Sequence, residues 1–391
     1  MLPNAKLAYL LSTCPKLNSS LMSVMVKQYA QSKTVATRHY FELWITLYEP
    51  KNITQYNTDP GKLFSIKNTR LKFVNMEDNV VNDALQFYNA SVLSNTEMRL
   101  IKSNLVKNGI KLNDQQIIAM YSIAALIKEY KKSGFKYVFI PVIIDYGRGG
   151  GVVHQTALII CIKESKFIYY EPYGLYTKYE KSYKEAVGIL MNCFDGFLND
   201  PVNYITYHDL LGHKQGIQAI LIENNNKNVA DYDANYNNIV ETLLREFPKV
   251  KFVPDEDKNA RDLTDKTLSV LDLLFNVDKF NVENLSEEKK DVYYNILEKI
   301  LGQYYCYNSK TCVSITIVEM NKFFSYTENG DDIGEISKKI GDVYNEYYDK
   351  KIPNQILMND VYKMLNLFRD VVKVRDLIDE GKQSIKICEK I

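Results

Sequence analysis

One histidine and one glutamate have the types and the spacing to do proton chemistry. His154 stands at the head of the apolar run Ala157 to Ile162, behind a glycine-rich stretch with Gly147, Gly149, Gly150 and Gly151. Glu171 ends the next run, Phe167 to Tyr170, past a polar turn at Lys163 to Lys166. Two short runs rich in β-branched and aromatic residues, joined by a tight turn, read as a hairpin, so imidazole and carboxylate fall on neighbouring strands. Such a pair can hold and transfer a proton; beside a thiol and a set of oxyanion donors it would serve a nucleophilic catalyst. The thiol is what the sequence withholds. Of the six cysteines, only Cys193 lies downstream of the pair in the same segment, and it falls inside an expected helix, Lys178 to Leu198, where its expected role is core packing.

Other candidates carry less chemistry. The stretch Gly147 to Gly151 lacks the Lys-Ser or Lys-Thr of a phosphate cradle and leads into a strand, so a tight turn is expected. His208 and His213 are five apart with Asp209 between them, a spacing that does not bring two ligands onto one helical face; a solvated or hydrogen-bonded loop is expected. Asp255 to Asp257 read as a surface turn. No cysteine pair has zinc spacing, and neither metal nor cofactor is expected.

The elements that must position the pair follow from hydrophobic period. Residues 1–78 lack sustained periodicity and carry Pro3, Pro15, Pro50 and Pro60, which predicts an extended arm with one short helix near Leu21 to Gln31 that lies on its own body or on a neighbour's. Residues 79–230 form the core. It starts helical at Val81, Ala84, Leu85 and Tyr88, continues in a helix capped by Asn113 with Gln116 three places on, and then changes period. Tyr137 to Ile144, Ala157 to Ile162, Phe167 to Tyr170, Tyr204 to Tyr207 and Ala219 to Ile222 are expected strands. Residues 231–391 read as helices near Ala234 to Phe247, Asp262 to Phe275, Glu287 to Tyr304 (capped by Ser286), Asp332 to Tyr348 and Ile356 to Glu380, with a strand expected at the β-branched Val313 to Val318. The expected class is α+β, predominantly helical, with a small mixed central sheet and helical additions on both sides.

Composition limits the partners. The 49 Lys and Arg against 48 Asp and Glu leave a net charge of +1, too little to hold a polyanion by counterion release, so nucleic acid is not an expected partner. No apolar run approaches the ~20 residues of a membrane span, and Leu7 to Leu11 is too short for the core of a secretory signal; folding inside a cell and no membrane partner are expected. The chain carries 30 Tyr and a single Trp, Trp44.

Around the pair the chain resembles a family. Gly151-Val152-Val153-His154 and Tyr170-Glu171-Pro172-Tyr173-Gly174 look like the His and acid elements of the adenovirus maturation protease and the ubiquitin-like-protein proteases, over about Lys136 to Glu223. That family has a Gln six residues before a Cys-Gly at a helix start. If Gly216 matches the glycine, the nucleophile position holds Gln215 and the oxyanion position Asp209; if Gln215 is the oxyanion Gln, the nucleophile position holds Leu221. Neither register supplies a cysteine, and Gln155 stands where the family usually has Trp. The resemblance therefore implies a degenerate cysteine-protease sheet with a vestigial set, His154, Glu171 and Gln215, and no catalysis.

The abundance of Tyr, Asn, Lys and Ile is similar to that of proteins from AT-rich insect DNA viruses. With the arm and the balanced charge, the chain resembles the polyhedrin-like occlusion-body proteins of nudiviruses. That likeness implies a structural protein that self-assembles with its own copies, the arm of residues 1–78 exchanged between subunits, into a crystalline body. The body embeds virions in the infected host nucleus, is tied by intermolecular disulfides through Cys14, Cys388, Cys306 and Cys312, and dissolves in alkali. The alternatives are an active viral cysteine protease and a catalytically dead adaptor that grips a peptide.

Overall fold

The computed structural model describes residues 22, 25–26, 29–37, 41–47, 70–75, 81–82, 92–145, 153–175, 178–198, 200–220, 238, 240–247, 286–292 and 312–349. The class is α+β. Its centre is an eight-stranded mixed sheet: β1 (Val35–Ala36), β2 (Phe41–Thr46), β3 (Arg70–Asn75), β4 (Val81–Asn82), β5 (Tyr137–Asp145), β6 (Val153–Cys161), β7 (Lys166–Tyr170) and β8 (Asn203–Thr206). The order is β4-β3-β2-β5-β6-β7-β8, with β1 beside the start of β5 on the flank that β2 follows further along. β5, β6 and β7 form an antiparallel meander, and β2 and β8 join it in parallel.

The meander reads as unbroken apolar runs because both of its faces are covered, and a sheet covered twice has no polar side to alternate with. Val138, Ile140, Val142 and Ile144 of β5, with Leu158 and Ile160 of β6, share one buried cluster with three helices: α1 (Asn95–Lys107), α2 (Asp114–Lys132) and α3 (Lys178–Met191). The alternate residues serve the other face. There Tyr137 and Phe139 meet Phe323 and Phe324 of α5 (Cys312–Glu328) in edge-on ring contacts at 5.6 and 4.9 Å. A further helix, α6 (Ile333–Asp349), begins after the Asp332 cap. The caps explain two starts. Ser94 with Glu97 and Asn113 with Gln116 each close a reciprocal capping box, satisfying donors that would otherwise be orphaned at a helix N-terminus.

Several expectations change. The residues read as an exchanged arm supply β1, β2 and β3 to the chain's own sheet: Phe41–Thr46 and Arg70–Asn75 are extended because they pair with each other. Tyr29 and Ser32 bind α5 through Asn321 and Glu328. Val81, expected to be helical, pairs with Val74 in β4. Val313 to Val318 are helical within α5, since a helix buried among Ile315, Ile317, Val318, Met320 and Phe323 shows no polar stripe and mimics a strand in sequence. Ala219 and Ile220 lie in a helical turn, residues 217–220, instead of a strand. The contacts define two compact units: residues Ser19–Ile217 with Ile315–Asn345, which include the sheet, and Met1–Asn18, Gln218–Ser314 and Glu346–Ile391. The latter unit includes the described helical stretches 240–246 and 287–292, the second capped by Ser286. The expected helices Asp262 to Phe275 and Ile356 to Glu380 lie outside the described residues.

Candidate functional site

Strand register brings His154 and Glu171 together. Ala157 of β6 pairs with Tyr170 of β7, so Glu171 continues opposite Thr156, one diagonal step from His154 on the same face, a separation long side chains can bridge. His154 begins deeper in the sheet than its sequence position suggests: β6 starts at Val153, and His154 pairs with Ile144. The glycines Gly147 to Gly151, expected to make the preceding turn, lie outside the described residues.

The pair is buried, with 6% of the His154 side chain exposed and none of Glu171, and Nε2 of His154 lies 2.5 Å from Oε1 of Glu171. Glu171 Oε1 also accepts from the Tyr173 amide at 3.2 Å, and Oε2 accepts from the Tyr169 hydroxyl at 3.2 Å. Three donors thus meet one buried carboxylate, the arrangement that makes burying it tolerable. The Tyr169 phenol is held well above its ordinary value, by burial first and then by the neighbouring Glu171 charge. Tyr173 and Tyr183 flank the imidazole at ring distances of 5.7 and 6.1 Å.

The other end of Glu171 is also occupied. Its carbonyl accepts from the Gly174 amide at 2.8 Å and from Nε2 of His208 at 2.6 Å. His208 lies on the short helix α4 (Tyr207–Leu211) and is fully buried, so it is hydrogen-bonded as expected but neither solvated nor in a loop. Burial lowers its pKa to about 4, the bond to the Glu171 carbonyl opposing the shift; the imidazole is neutral at neutral pH. Nothing in the sequence around His208 distinguishes it except Thr206 three residues before Asp209, which forms the capping box of α4.

Gln215 is held beside this site by its backbone. It forms a β-bridge with Gly174, the Leu175 amide donates to the Lys214 carbonyl at 2.7 Å, and the Gly216 amide donates to the Tyr173 carbonyl at 3.0 Å. The two segments approach so closely that a Cβ on Gly216 would lie 2.1 Å from the Pro172 carbonyl oxygen and one on Gly174 2.4 Å from the Gly216 nitrogen. Gly174 also needs its left-handed φ of +71°. Leu221, the alternative nucleophile position, lies outside the described residues. Asp209 works as a structural acid. It caps α4 and pairs with Lys184 at 2.9 Å; burial pushes its pKa up, but the bonds from Thr206 and Lys184 outweigh this and hold it below its usual value. Gln155 is buried and donates its amide to the Val142 and Thr156 carbonyls.

The described cysteines serve the interior. Cys193, in the 3-10 turn Asn192–Phe194, belongs to the α1–α3 core and donates to the Ile189 carbonyl. Cys161 is seven residues along β6 from His154, roughly 23 Å at the rise of a strand. Burial pushes both thiols up to about 12, so neither is a nucleophile at neutral pH. Cys312, expected to bridge subunits, is buried and free, which shields it from a neighbour's thiol. Cys14, Cys306 and Cys388, and the turn at Asp255 to Asp257, lie outside the described residues. Among the described residues, no group of three ligating side chains could hold a metal, and no helix is long and apolar enough to cross a membrane.

The arrangement can keep a proton between an imidazole and a carboxylate inside the protein. Glu171 holds Nε2 of His154, whereas in a hydrolytic triad the acid holds Nδ1 and leaves Nε2 for the nucleophile. No family model, curated protein or solved structure matches the chain.

Proposed function

We propose that this chain is a structural viral protein of the polyhedrin-like kind. It self-assembles in the infected nucleus into a crystalline occlusion body around virions, on a sheet of cysteine-protease type that has lost its nucleophile. The observation that supports the reading is the residue at the clasp: Gln215 bridges Gly174 in the loop that follows Glu171, and in the register that aligns Gly216 with the glycine of the resembled proteases it takes the position of their thiol. The buried Cys161 and Cys193, with thiols at about 12, support it. Balanced charge and 30 tyrosines favour close packing at neutral pH over binding a polyanion.

Alkali supplies release. Exposed phenols and lysines titrate near ~10 and ~10.4, so the near-neutral molecule becomes a polyanion and packed copies repel. The buried phenols respond later. Burial pushes Tyr29 up to about 12, aided by Glu328, and holds Tyr137, Tyr170, Tyr204 and Tyr207 higher than usual as well. A raised phenol pKa leaves the fold's stability intact below ~10 and erodes it as pH climbs from there toward the folded value. Subunits should therefore separate as folded molecules before they unfold.

Electron microscopy of cells expressing the chain alone tests the reading. Ordered intracellular crystals are expected; they should dissolve near pH ~10 into protein that keeps its near-ultraviolet circular dichroism. Dispersed protein without crystals, solubility unchanged from neutral to strongly alkaline buffer, or cleavage of fluorogenic peptides blocked by thiol reagents would overturn it.

A further inference from the structure

The second observation that the site leaves unexplained lies on the far side of Glu171. Two polar atoms of α4, the Tyr207 hydroxyl and Nδ1 of His208, are buried with no protein partner, in side chains with no exposed surface. The tautomer of His208 follows from its other nitrogen. Nε2 faces a carbonyl oxygen, which can only accept, so Nε2 carries the proton and Nδ1 of the neutral ring presents a lone pair.

Four elements enclose these atoms. Tyr170 of β7 packs on Tyr207 at 5.1 Å and on His208 at 5.9 Å, and Tyr344 of α6 packs on His208 at 6.0 Å. Glu319 of α5 is fully buried and pairs with Lys322 at 3.1 Å; burial first, and then the Glu319 charge, raises the pKa of both Tyr170 and Tyr207. Buried polar atoms in folded proteins almost always have partners; the walls are polar as well as aromatic, since Tyr170 and Tyr344 carry hydroxyls and Glu319 a carboxylate, yet none of these groups hydrogen-bonds the Tyr207 hydroxyl or Nδ1 of His208.

The chemistry of the two atoms selects the guest. Nδ1 needs a donor, while the Tyr207 hydroxyl needs an acceptor for its proton. A metal cation or an ammonium could meet the Nδ1 lone pair and would be drawn by Glu319, but it leaves the Tyr207 proton without an acceptor. An anion offers nothing to Nδ1 and meets Glu319. A small neutral molecule that both donates and accepts serves both, and internal water bound by two to four polar groups is the common case. We propose that internal water lies between β7, α4, α5 and α6, anchored by Tyr207 and His208. This hydration keeps His208 as the neutral donor that positions the Glu171 carbonyl. His208 is thus a positioning residue for the His154–Glu171 pair, whether or not the chain assembles.

A high-resolution crystal structure of the full chain, with nitrogen NMR of histidine-labelled protein, tests this. Expected are ordered solvent within hydrogen-bonding distance of Nδ1 of His208 and the Tyr207 hydroxyl, and a His208 ring protonated on Nε2 only. Tyr207→Phe should lose the solvent at its own position. His208→Ala should shift the His154 nitrogen resonances, and His208→Gln, whose amide can still donate to the Glu171 carbonyl, should restore them. No ordered solvent at these two atoms in the wild-type protein, a proton on Nδ1, or His154 resonances indifferent to His208→Ala would overturn the proposal.

Discussion

The two halves of the candidate site are held by different kinds of bond. His154, Tyr169 and Glu171 are joined through side chains, all buried, so removing one leaves a polar group without its partner. The stretch around Gln215 is joined through main-chain amides and carbonyls and through the closeness that Gly174 and Gly216 permit. The difference sets how each half can be broken: the first through its side chains, the second through the main-chain approach that Gly174 and Gly216 allow.

Breaking the side-chain half should have the largest effect. Glu171→Ala removes the carboxylate on which the His154 ring and the Tyr169 hydroxyl converge and should cost about 3–5 kcal/mol in urea unfolding, the scale for losing one member of a buried pair. A cost comparable to that of a surface substitution would show that the pair is not a structural bond.

Acid should act almost as strongly through His208. Its folded pKa near 4 lies below the ordinary value of 6.5. Its contribution is therefore complete above pH ~6.5 and is lost as pH falls from there through about 4, amounting to roughly 3 kcal/mol at ~1.4 kcal/mol per unit. Stability measured across that range should fall for the wild type and stay flatter for His208→Gln.

The backbone half should break at its glycine. Gly216→Ala drives a methyl into the Pro172 carbonyl, and because that obstacle is main chain it cannot swing away; a loss of about 1–3 kcal/mol is expected. Gln215→Cys, by contrast, should change stability by no more than ~0.5 kcal/mol, since the bridge uses only backbone. Its thiol should label with iodoacetamide faster than Cys161, Cys193 or Cys312, and the excess should vanish with His154→Ala. Equal labelling in both backgrounds would mean that the clasp does not aim residue 215 at the imidazole.

The hairpin was the most legible part of the chain. Its runs, its turn at Lys163 to Lys166 and the pairing of His154 with Glu171 follow from period, composition and register, all local signals. The Asn113–Gln116 cap was legible for the same reason. The strands before residue 78 were not, because short β2 and β3 acquire meaning only from partners distant in sequence. α5 was misread because burial on all sides removes the polar stripe that marks a helix. His208 was legible only as a residue that would be solvated or hydrogen-bonded: its partner is a carbonyl 37 residues away, and no rule of spacing connects them.

The bridge between Gly174 and Gln215 also shapes how the chain reaches its fold. It ties off the intervening segment, with α3, β8 and α4, into a closed loop. Closing such a loop costs entropy before any contact within it returns stability, so the clasp should form late, after the β5–β6–β7 meander has collapsed on local contacts. A nick in the loop would relieve that topological debt and leave two fragments held by non-covalent contacts, among them β8 on β7 and α5 on β5, making protease resistance between residues 175 and 213 a direct readout of whether the last step of folding is complete.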